Sequence, residues 1–456
     1  MNNLAKGGLA LGSAMIAFGA LRRYLNPPPR YAPWEKPRYG DFEKKVLIVG
    51  GGFGGYTAAT KLCEYLRKRE DVGVLVIARD NYFTFWPMVP GIVSSDIDTR
   101  NVAQPLRRAL IRAGASFRRA QLKEVNHEKK TITADGGLEF PYDQLIVSLG
   151  GQPNFFGIPG VEEYSLTMRG ISDAERIRNR VIERFEEVSL IRGPVPDSKL
   201  TFVVIGAGAT GVEVATEIHA LVHEALEPDY PNIDPARVKI VLLEGLPEIL
   251  AELDPVLQKA ARGQLFNLHI DVRTSTFAEE VTADRVILDD GREIETENVI
   301  WTAGNRASSK VEDLDLPQQG EKGIEADEYM RVKGYENVWA IGDCAANVDK
   351  DGEPVPPNAQ AASQEGQALA RNILATIDGE ELTPFEYEPM GQLVELGSQF
   401  AVNEVMGVKF KGLPAALFWR ATYLFKLEMP ENRARIAADW LLDLFFHPSV
   451  TQIRGR

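Results

Sequence analysis

Two stretches of the chain place glycines at matched spacing after short apolar runs. Lys45 to Gly55 reads KVLIVGGGFGG, with Gly50, Gly52 and Gly55 in G-x-G-x-x-G order; Leu200 to Gly211 reads LTFVVIGAGATG, with Gly206, Gly208 and Gly211 in the same order. Each apolar run is too compact for a helix and suits a buried parallel strand. The first glycine permits a tight turn, the second lets a pyrophosphate approach the backbone, and the third lets helix and strand pack closely. The N-terminus of the following helix then faces the phosphate charge. Such a turn alone also arises for packing; its repetition in one chain points to two dinucleotides.

A carboxylate belongs at the end of the second strand of such a unit, where it accepts hydrogen bonds from a ribose. The second unit has one: Val238–Leu243 ends in Glu244, after an insert at Pro228–Pro235. A carboxylate there repels a 2′-phosphate, so NAD is favoured over NADP. The first unit departs from the pattern, because Gly73–Ile77 is followed by Ala78, Arg79 and Asp80. Asp80 or a backbone group must then substitute, or the contact is weak. Farther on, Val338–Asp343 reads VWAIGD, a strand whose Gly-Asp end puts Asp343 at a sheet edge where ligands lie. Capping a helix near Ala359 or stabilising a turn would use the same aspartate equally well.

The elements between follow from local pattern. Helices are expected at Tyr56–Arg69, Asp173–Arg192 and Val212–Leu226, hairpin strands over 116–147, a crossover loop at Asn154–Gly160, and a strand and turn at Ile294–Gly304. The aromatic stretch Asn81–Gly91 suits either a cover over a flat ring or a loop facing the core.

Composition narrows the function classes. A net charge of −14 argues against a nucleic-acid binder, which needs a basic face. Residues 1–45 hold eight Lys/Arg against three Asp/Glu, and residues 409–456 eight against four, so the ends are basic and the body acidic. Basic ends suit either a membrane surface or solvated tails. Cys63 and Cys344 are the only cysteines, which excludes a disulfide framework. The five histidines show no metal-ligand spacing, so no metal is expected. Leu9–Leu21, apolar and followed by Arg22 and Arg23, reads as an N-terminal anchor or interfacial helix, a leader, or a packed extension. Residues 26–40 read as a Pro-rich linker.

GGGFGG at 50–55, DNY at 80–82, NFFGIPG at 154–160, GAGATGVEVA at 206–215, WTAG at 301–304, AIGDCA at 340–345, PPNAQAASQEG at 356–366, GLPAALFWR at 412–420 and ADWLLDLFF at 438–446 together resemble the two-dinucleotide-domain flavoproteins and, more narrowly, the type II NADH dehydrogenases. That resemblance implies an α/β fold of two Rossmann-like dinucleotide-binding domains, the second inserted in the first, with C-terminal amphipathic membrane-associating helices. The corresponding boundaries are 1–40 for the apolar segment and linker, 41–165 and 311–395 for an FAD domain, 166–310 for an NAD domain, and 396–456 for a membrane-associating region.

The resemblance further implies FAD on Gly50, Gly52, Phe53, Gly54, Gly55, Asp80, Gly150, Asp343, Ala359 and Gln360. NADH would lie on Gly206, Gly208, Ala209, Thr210, Gly211, Glu213, Glu244 and Gly304. Glu213 would stand near both rings, and Gln360 and Gln364, at i, i+4 on one helix face, would line a quinone mouth. These three are the candidate catalytic residues. Activity is then NADH:quinone oxidoreduction without proton pumping, on the cytoplasmic face of a cell inner membrane or its mitochondrial equivalent.

A membrane quinone requires a site open to a bilayer. Ile436, Trp440, Leu441, Leu444 and Phe445 recur at helical spacing, and Leu413–Leu427 adds Trp419, Tyr423 and Phe425 beside Arg420 and Lys426. Such helices lie in a membrane interface, pack on the protein's own core, or form a homodimer contact. Among rivals, a sulfide:quinone oxidoreductase or a disulfide reductase needs a cysteine pair that Cys63 and Cys344 do not supply. Demethylnaphthoquinone-type reductases and a structural flavoprotein with vestigial turnover stay compatible with the motifs.

Overall fold

The computed structural model describes residues 38–427, 429–443, 445–446 and 450–452. The apolar segment Leu9–Leu21 and nearly all of the linker lie outside the described residues. In chain order, the elements that position the site begin with strand β1 (Lys44–Val49), helix α1 (Phe53–Tyr65), β2 (Val72–Ala78), β3 (Ser116–Arg119), β4 (Gln144–Val147), β5 (Gly151–Pro153) and β6 (Ser165–Thr167). Helix α2 (Ile171–Ser189), β7 (Thr201–Ile205), α3 (Ala209–Ala220), β8 (Lys239–Leu243), α4 (Pro255–Asn267), β9 (Asp271–Arg273), β10 (Asn298–Trp301) and β11 (Asn305–Ala307) follow. The chain then runs through β12 (Val338–Ala340), α5 (Ala359–Asp378), β13 (Gly391–Glu395), β14 (Ala401–Val405), β15 (Val408–Gly412), α6 (Leu413–Lys426) and α7 (Pro430–Asp443).

Two five-stranded parallel sheets result. The first has the order β12-β4-β1-β2-β3 and the second β6-β10-β7-β8-β9. Each is an α/β doubly wound unit, because parallel neighbours need crossovers that bury both sheet faces. Val46, Leu47 and Ile48 in β1, and Phe202, Val203 and Val204 in β7, have no exposed surface. Strand β12 returns to the first sheet only after the whole second sheet has been built, so the second unit is inserted in the first. The chain crosses between them on a two-stranded antiparallel ribbon, β5 against β11, with Gly151 opposite Ala307 and Pro153 opposite Asn305.

Local pattern accounts for most of these elements. In α2, Ile171, Ala174, Ile177, Val181, Phe185 and Val188 are buried at helical spacing while the charges face outward. Helix α2, expected over 173–192, runs from Ile171 to Ser189, and two other helices differ in geometry as well. The helix over 56–69 starts earlier, at Phe53, and tightens into a 3₁₀ turn at Leu66–Lys68. The helix over 212–226 keeps α geometry only to Ala220, and Leu221–Leu226 form a π turn. The expected hairpin region divides as well. Strands at Leu122–Asn126, Thr131–Ala134 and Leu138–Pro141 are antiparallel, whereas the flanking β3 and β4 join the parallel sheet.

Strands β13, β14 and β15 form an antiparallel sheet on which α6 packs, and α7 packs on α6 and on residues 99–102. Helix α6 is anchored by buried Ala415, Ala416 and Trp419. Among the described residues, no helix is long and apolar enough to cross a membrane.

Candidate functional site

Both glycine turns lie at the carboxyl edges of their sheets, built the same way. Gly50 and Gly206 follow β1 and β7 with φ of 116° and 103°, a region that glycine alone enters at no steric cost. A Cβ on Gly206 would lie 2.7 Å from the Ala303 nitrogen, and one on Gly50 would overlap the Ser148 carbonyl oxygen. Gly55 and Gly211 bring the helices onto the turns so closely that a side chain on either would collide with the carbonyl of Gly50 or Gly206. Gly52 and Gly208 instead are the N-caps of α1 and α3, with open space where a Cβ would go. Phe53 and Gly54 in one unit, and Ala209 and Thr210 in the other, form the first helical turn behind each open cap. Backbone N–H groups and helix dipole together make each cap a cradle for an anion. A pyrophosphate fits both.

The two units differ where a ribose would lie. Glu244 follows β8 directly, and its Oε2 accepts from the Ala207 amide (2.7 Å) while Oε1 accepts from the Leu246 amide (2.9 Å). The carboxylate is thus fixed against the glycine turn. In the first unit Ala78 is the last residue of β2, and a Cβ on Gly51 would lie 3.1 Å from its methyl. Asp80, two residues on, pairs with the Arg79 guanidinium at 3.1 Å.

Asp343 sits in a 3₁₀ turn just beyond β12, at the edge of the first sheet. Its Oδ2 accepts from Asn305 Nδ2 at 2.7 Å, and Asn305 is also bonded to Arg169. Helix α5 is capped by Asn358, whose side chain accepts from the Ala361 amide, so capping is not the task of Asp343. The Gly342 amide donates to Glu365 Oε2 (2.6 Å), and Asn347 donates to Glu365 Oε1 (2.7 Å). Burial pushes the Glu365 carboxyl up to about 7. Gly150, at φ 70°, and Gly304, at φ 72°, turn the chain at the ends of β4 and β10. A Cβ on Gly304 would strike Phe156 at 2.5 Å, whereas Gly150 has open space there.

Helix α5 starts at Ala359 and presents Gln360 and Gln364 on one face. Both amides are engaged by the segment leading to β13: Gln360 Oε1 accepts from Tyr387 Oη and the Met390 amide, each at 3.0 Å, and Gln364 brackets Glu388 by donating to its carbonyl (2.7 Å) and accepting from its amide (3.1 Å). The pair therefore holds that segment in place. Glu213 lies one turn into α3, and its Oε1 accepts from the Glu395 amide at 3.4 Å. Burial pushes its carboxyl up to about 8. A protonated carboxyl at neutral pH can donate as well as accept.

The aromatic stretch after Asp80 faces the core. Phe83 and Phe85 are buried, and Phe83 stacks on Tyr56 and meets Phe53 edge-on at 4.8 Å. Several polar residues of the site carried no motif in the sequence. Asn305 and Arg169 beside Asp343, and Glu395 beside Glu213, come from distant segments, whereas Glu365, under the Gly342 turn, lies within the stretch PPNAQAASQEG. Glu217 did have a signal: two glutamates at i, i+4 in the otherwise apolar run GVEVATEIHA. Cys63 and Cys344 are buried and form no disulfide, and burial pushes the Cys344 thiol up to about 12. Among the described residues no group of acidic, histidine or cysteine side chains could hold a metal.

Residues 44–366 match the family model described as pyridine nucleotide-disulphide oxidoreductase. A "Probable NADH dehydrogenase" of Dictyostelium discoideum is 31% identical over 90% of this chain and 91% of its own. The "Type II NADH:quinone oxidoreductase Ndh" of Mycobacterium tuberculosis is 30% identical over 87% of each. A solved structure of NDH2 from Plasmodium falciparum, in complex with NADH, superposes with a TM-score of 0.82 at 20% identity, covering 90% of this chain and 100% of that one. The family match spans both glycine turns and both parallel sheets up to the start of α5, and the chain belongs to the pyridine nucleotide-disulphide oxidoreductase family, in its type II NADH dehydrogenase branch.

Proposed function

We propose that the protein is an FAD-dependent NADH:quinone oxidoreductase. The observation that carries this is the pair of open helix caps, at Gly52 and Gly208, of which only the second is backed by a fixed ribose carboxylate, Glu244. FAD would be held by Gly50, Gly52, Phe53, Gly54, Gly55, Gly150, Asp343, Ala359 and Gln360, with Asp80 as the nearest acid to its ribose. NADH would be held by Gly206, Gly208, Ala209, Thr210, Gly211, Glu244 and Gly304. The domain boundaries 41–165, 166–310 and 311–395 are proposed on the same basis, and the β5–β11 ribbon falls within them.

Bound flavin supplies a ring that accepts a hydride equivalent and passes on electrons in pairs. The protein's own work is to place, orient and exclude. Glycine turns bring both pyrophosphates against backbone amides, and Asp343 accepts hydrogen bonds at the sheet edge. Glu213, which burial keeps protonated near neutral pH, would orient a ring carbonyl by donating a hydrogen bond to it. Gln360 and Gln364 fix the segment before β13, and so the shape of the quinone mouth.

Quinones partition into bilayers, and the described surface offers a matching face. Leu413, Leu417, Phe418 and Phe425 on α6 are exposed, as are Leu441 and Leu442 on α7 and Phe445 and Phe446 beyond it. Side chains of this size on neighbouring amphipathic helices suit a lipid surface. The proposed location is therefore peripheral, on the cytoplasmic face of a cell inner membrane or the equivalent mitochondrial face. A homodimer would compete for the same face.

The deciding experiment mixes purified protein anaerobically with NADH, then with a soluble quinone, while flavin absorbance is followed. Bleaching by NADH and recovery with quinone are expected; flavin that NADH cannot bleach would sink the proposal. NADPH should bleach it far more slowly, since Glu244 repels a 2′-phosphate, and Glu244→Gln should narrow that gap by about tenfold or more.

A further inference from the structure

The crossover loop into the second unit carries an aromatic ring that its own packing does not use. Phe155 and Ile158 lie against the core of that unit, whereas Phe156 between them is 62% exposed. Asn154 fixes the turn. Its Oδ1 accepts from the Phe156 amide (3.0 Å), its Nδ2 donates to Glu321 Oε2 (3.0 Å), and its carbonyl accepts from Trp301 Nε1 (2.9 Å). Held this way, Phe156 has a φ of 52°, in the left-handed region that bulky side chains enter only at a steric cost. The ring lies on Gly304, where a Cβ would meet its Cζ at 2.5 Å, and its centroid is 6.4 Å from that of Trp301. A strained residue thus holds an apolar ring in the open, on a glycine at the carboxyl edge of the second sheet.

The order of strands decides which part of a dinucleotide would lie there. Strand β7, which leads into the Gly206 turn, has β8 on one side and β10 on the other. Glu244, the ribose carboxylate, follows β8, and Gly304 with the Phe156 ring stands beyond the end of β10. A dinucleotide whose diphosphate crosses the Gly208 cap therefore has its adenosine half over β8 and its other half over β10. The β10 side also leads to the flavin unit, because Asn305, next to Gly304, donates to Asp343.

We propose that Phe156 is a substrate contact: its ring, seated on Gly304, is the apolar wall against which the nicotinamide riboside of NADH packs. This contact rests on the NADH-oxidising reading above. Three features set it apart from a loop residue left at a surface. An exposed ring gains little from its own burial, so nothing in the fold offsets the left-handed backbone, and strain of this kind collects at ligand clamps. Asn154 commits both side-chain groups and its carbonyl to the turn, so the ring is in place before a ligand arrives. With glycine at 304, no side chain stands between the ring and the sheet edge, and the outer surface of the ring stays open.

The test measures binding to the oxidised, FAD-loaded protein by calorimetry with two probes: NAD⁺, which fills both halves of the site, and ADP, which fills only the Glu244 half. Phe156→Asn removes the ring, and asparagine enters the left-handed region more readily than phenylalanine. This variant should weaken NAD⁺ binding by about tenfold and leave ADP binding within about twofold of the parent. Phe156→Tyr, which keeps the ring, should bind both probes within about twofold of the parent. In stopped flow, the NADH concentration that half-saturates bleaching should rise in Phe156→Asn by the same factor as the NAD⁺ dissociation constant. The melting temperature of Phe156→Asn should equal or exceed the parent's, since strain is relieved and little apolar burial is lost. Unchanged NAD⁺ affinity in Phe156→Asn would overturn the contact. So would an equal loss for ADP, or a melting temperature clearly below the parent's, because either result makes the ring part of the packing. A parent protein that binds ADP but is not bleached by NADH would instead overturn the reading beneath it.

Discussion

Glu213, Glu217 and Glu395 are costly to ionise only in the folded chain, which makes stability depend on pH. Burial raises Glu213 and Glu217 from 4.5 to about 8. Between those values the folded protein keeps protons that the unfolded chain has already released, so stability falls as pH rises. The contribution is complete below about 4.5, is lost through about 8, and changes no further above that. The melting temperature should therefore decline across this window, and Glu217→Gln should flatten the decline. Identical slopes for the two proteins in scanning calorimetry would contradict the burial of Glu217. Arg420 bears on the same balance: its guanidinium lies over the Trp440 ring at 5.0 Å as well as between two carboxylates. A lysine there could not reproduce both contacts.

Helices α1 and α5 meet backbone to backbone, because Gly54 and Gly366 face each other. A Cβ on Gly366 would lie 2.5 Å from the Gly54 carbonyl oxygen and 3.0 Å from the Ala58 amide nitrogen. Gly366→Ala should force the helices apart at a cost of about 1–3 kcal/mol, read as a lower denaturant midpoint with weaker flavin retention. The turns around Gly50 and Gly206 were legible from sequence because a glycine turn is encoded within a dozen adjacent residues. The place of Glu244 was legible for the same reason, since a strand end and its following residue are contiguous. Ala78 was legible as a departure, and its packing under Gly51 gives that departure a physical form. What sequence could not show are neighbours made by topology. Glu395 meets Glu213 only because β13 packs beside α3, and Asn305 meets Asp343 only because the inserted unit returns at that point. The π turn at Leu221–Leu226 has no local signature, and the apolar stretch Asn81–Gly91 needed its core contacts to be seen. Gln360 and Gln364 were placed on one helix face by spacing alone, but their bonds to Tyr387, Glu388 and Met390 depend on a segment more than twenty residues away.

Seen whole, the molecule keeps its large exposed apolar side chains at the C-terminal end on α6 and α7 apart from the residues that anchor those helices. Truncation before α6 would strip Ala415, Ala416 and Trp419 from the core along with the outer face, so charge substitutions are the cleaner probe. Phe425→Glu combined with Leu441→Glu should weaken liposome binding by about tenfold per side chain in a flotation assay, with the melting temperature little changed because both positions are exposed. Undiminished binding would move the lipid contact elsewhere on the chain. The β5–β11 ribbon has a different consequence. Since the two strands that lead into and out of the second unit are hydrogen-bonded neighbours, its two chain ends are tied side by side at a single seam. Chain entry and exit at 154 and 304 are thus close enough for a few residues to join, but residues 91–94 of the first unit pack on α2 and α3, so a chain lacking the second unit would keep a short connection and expose that buried face.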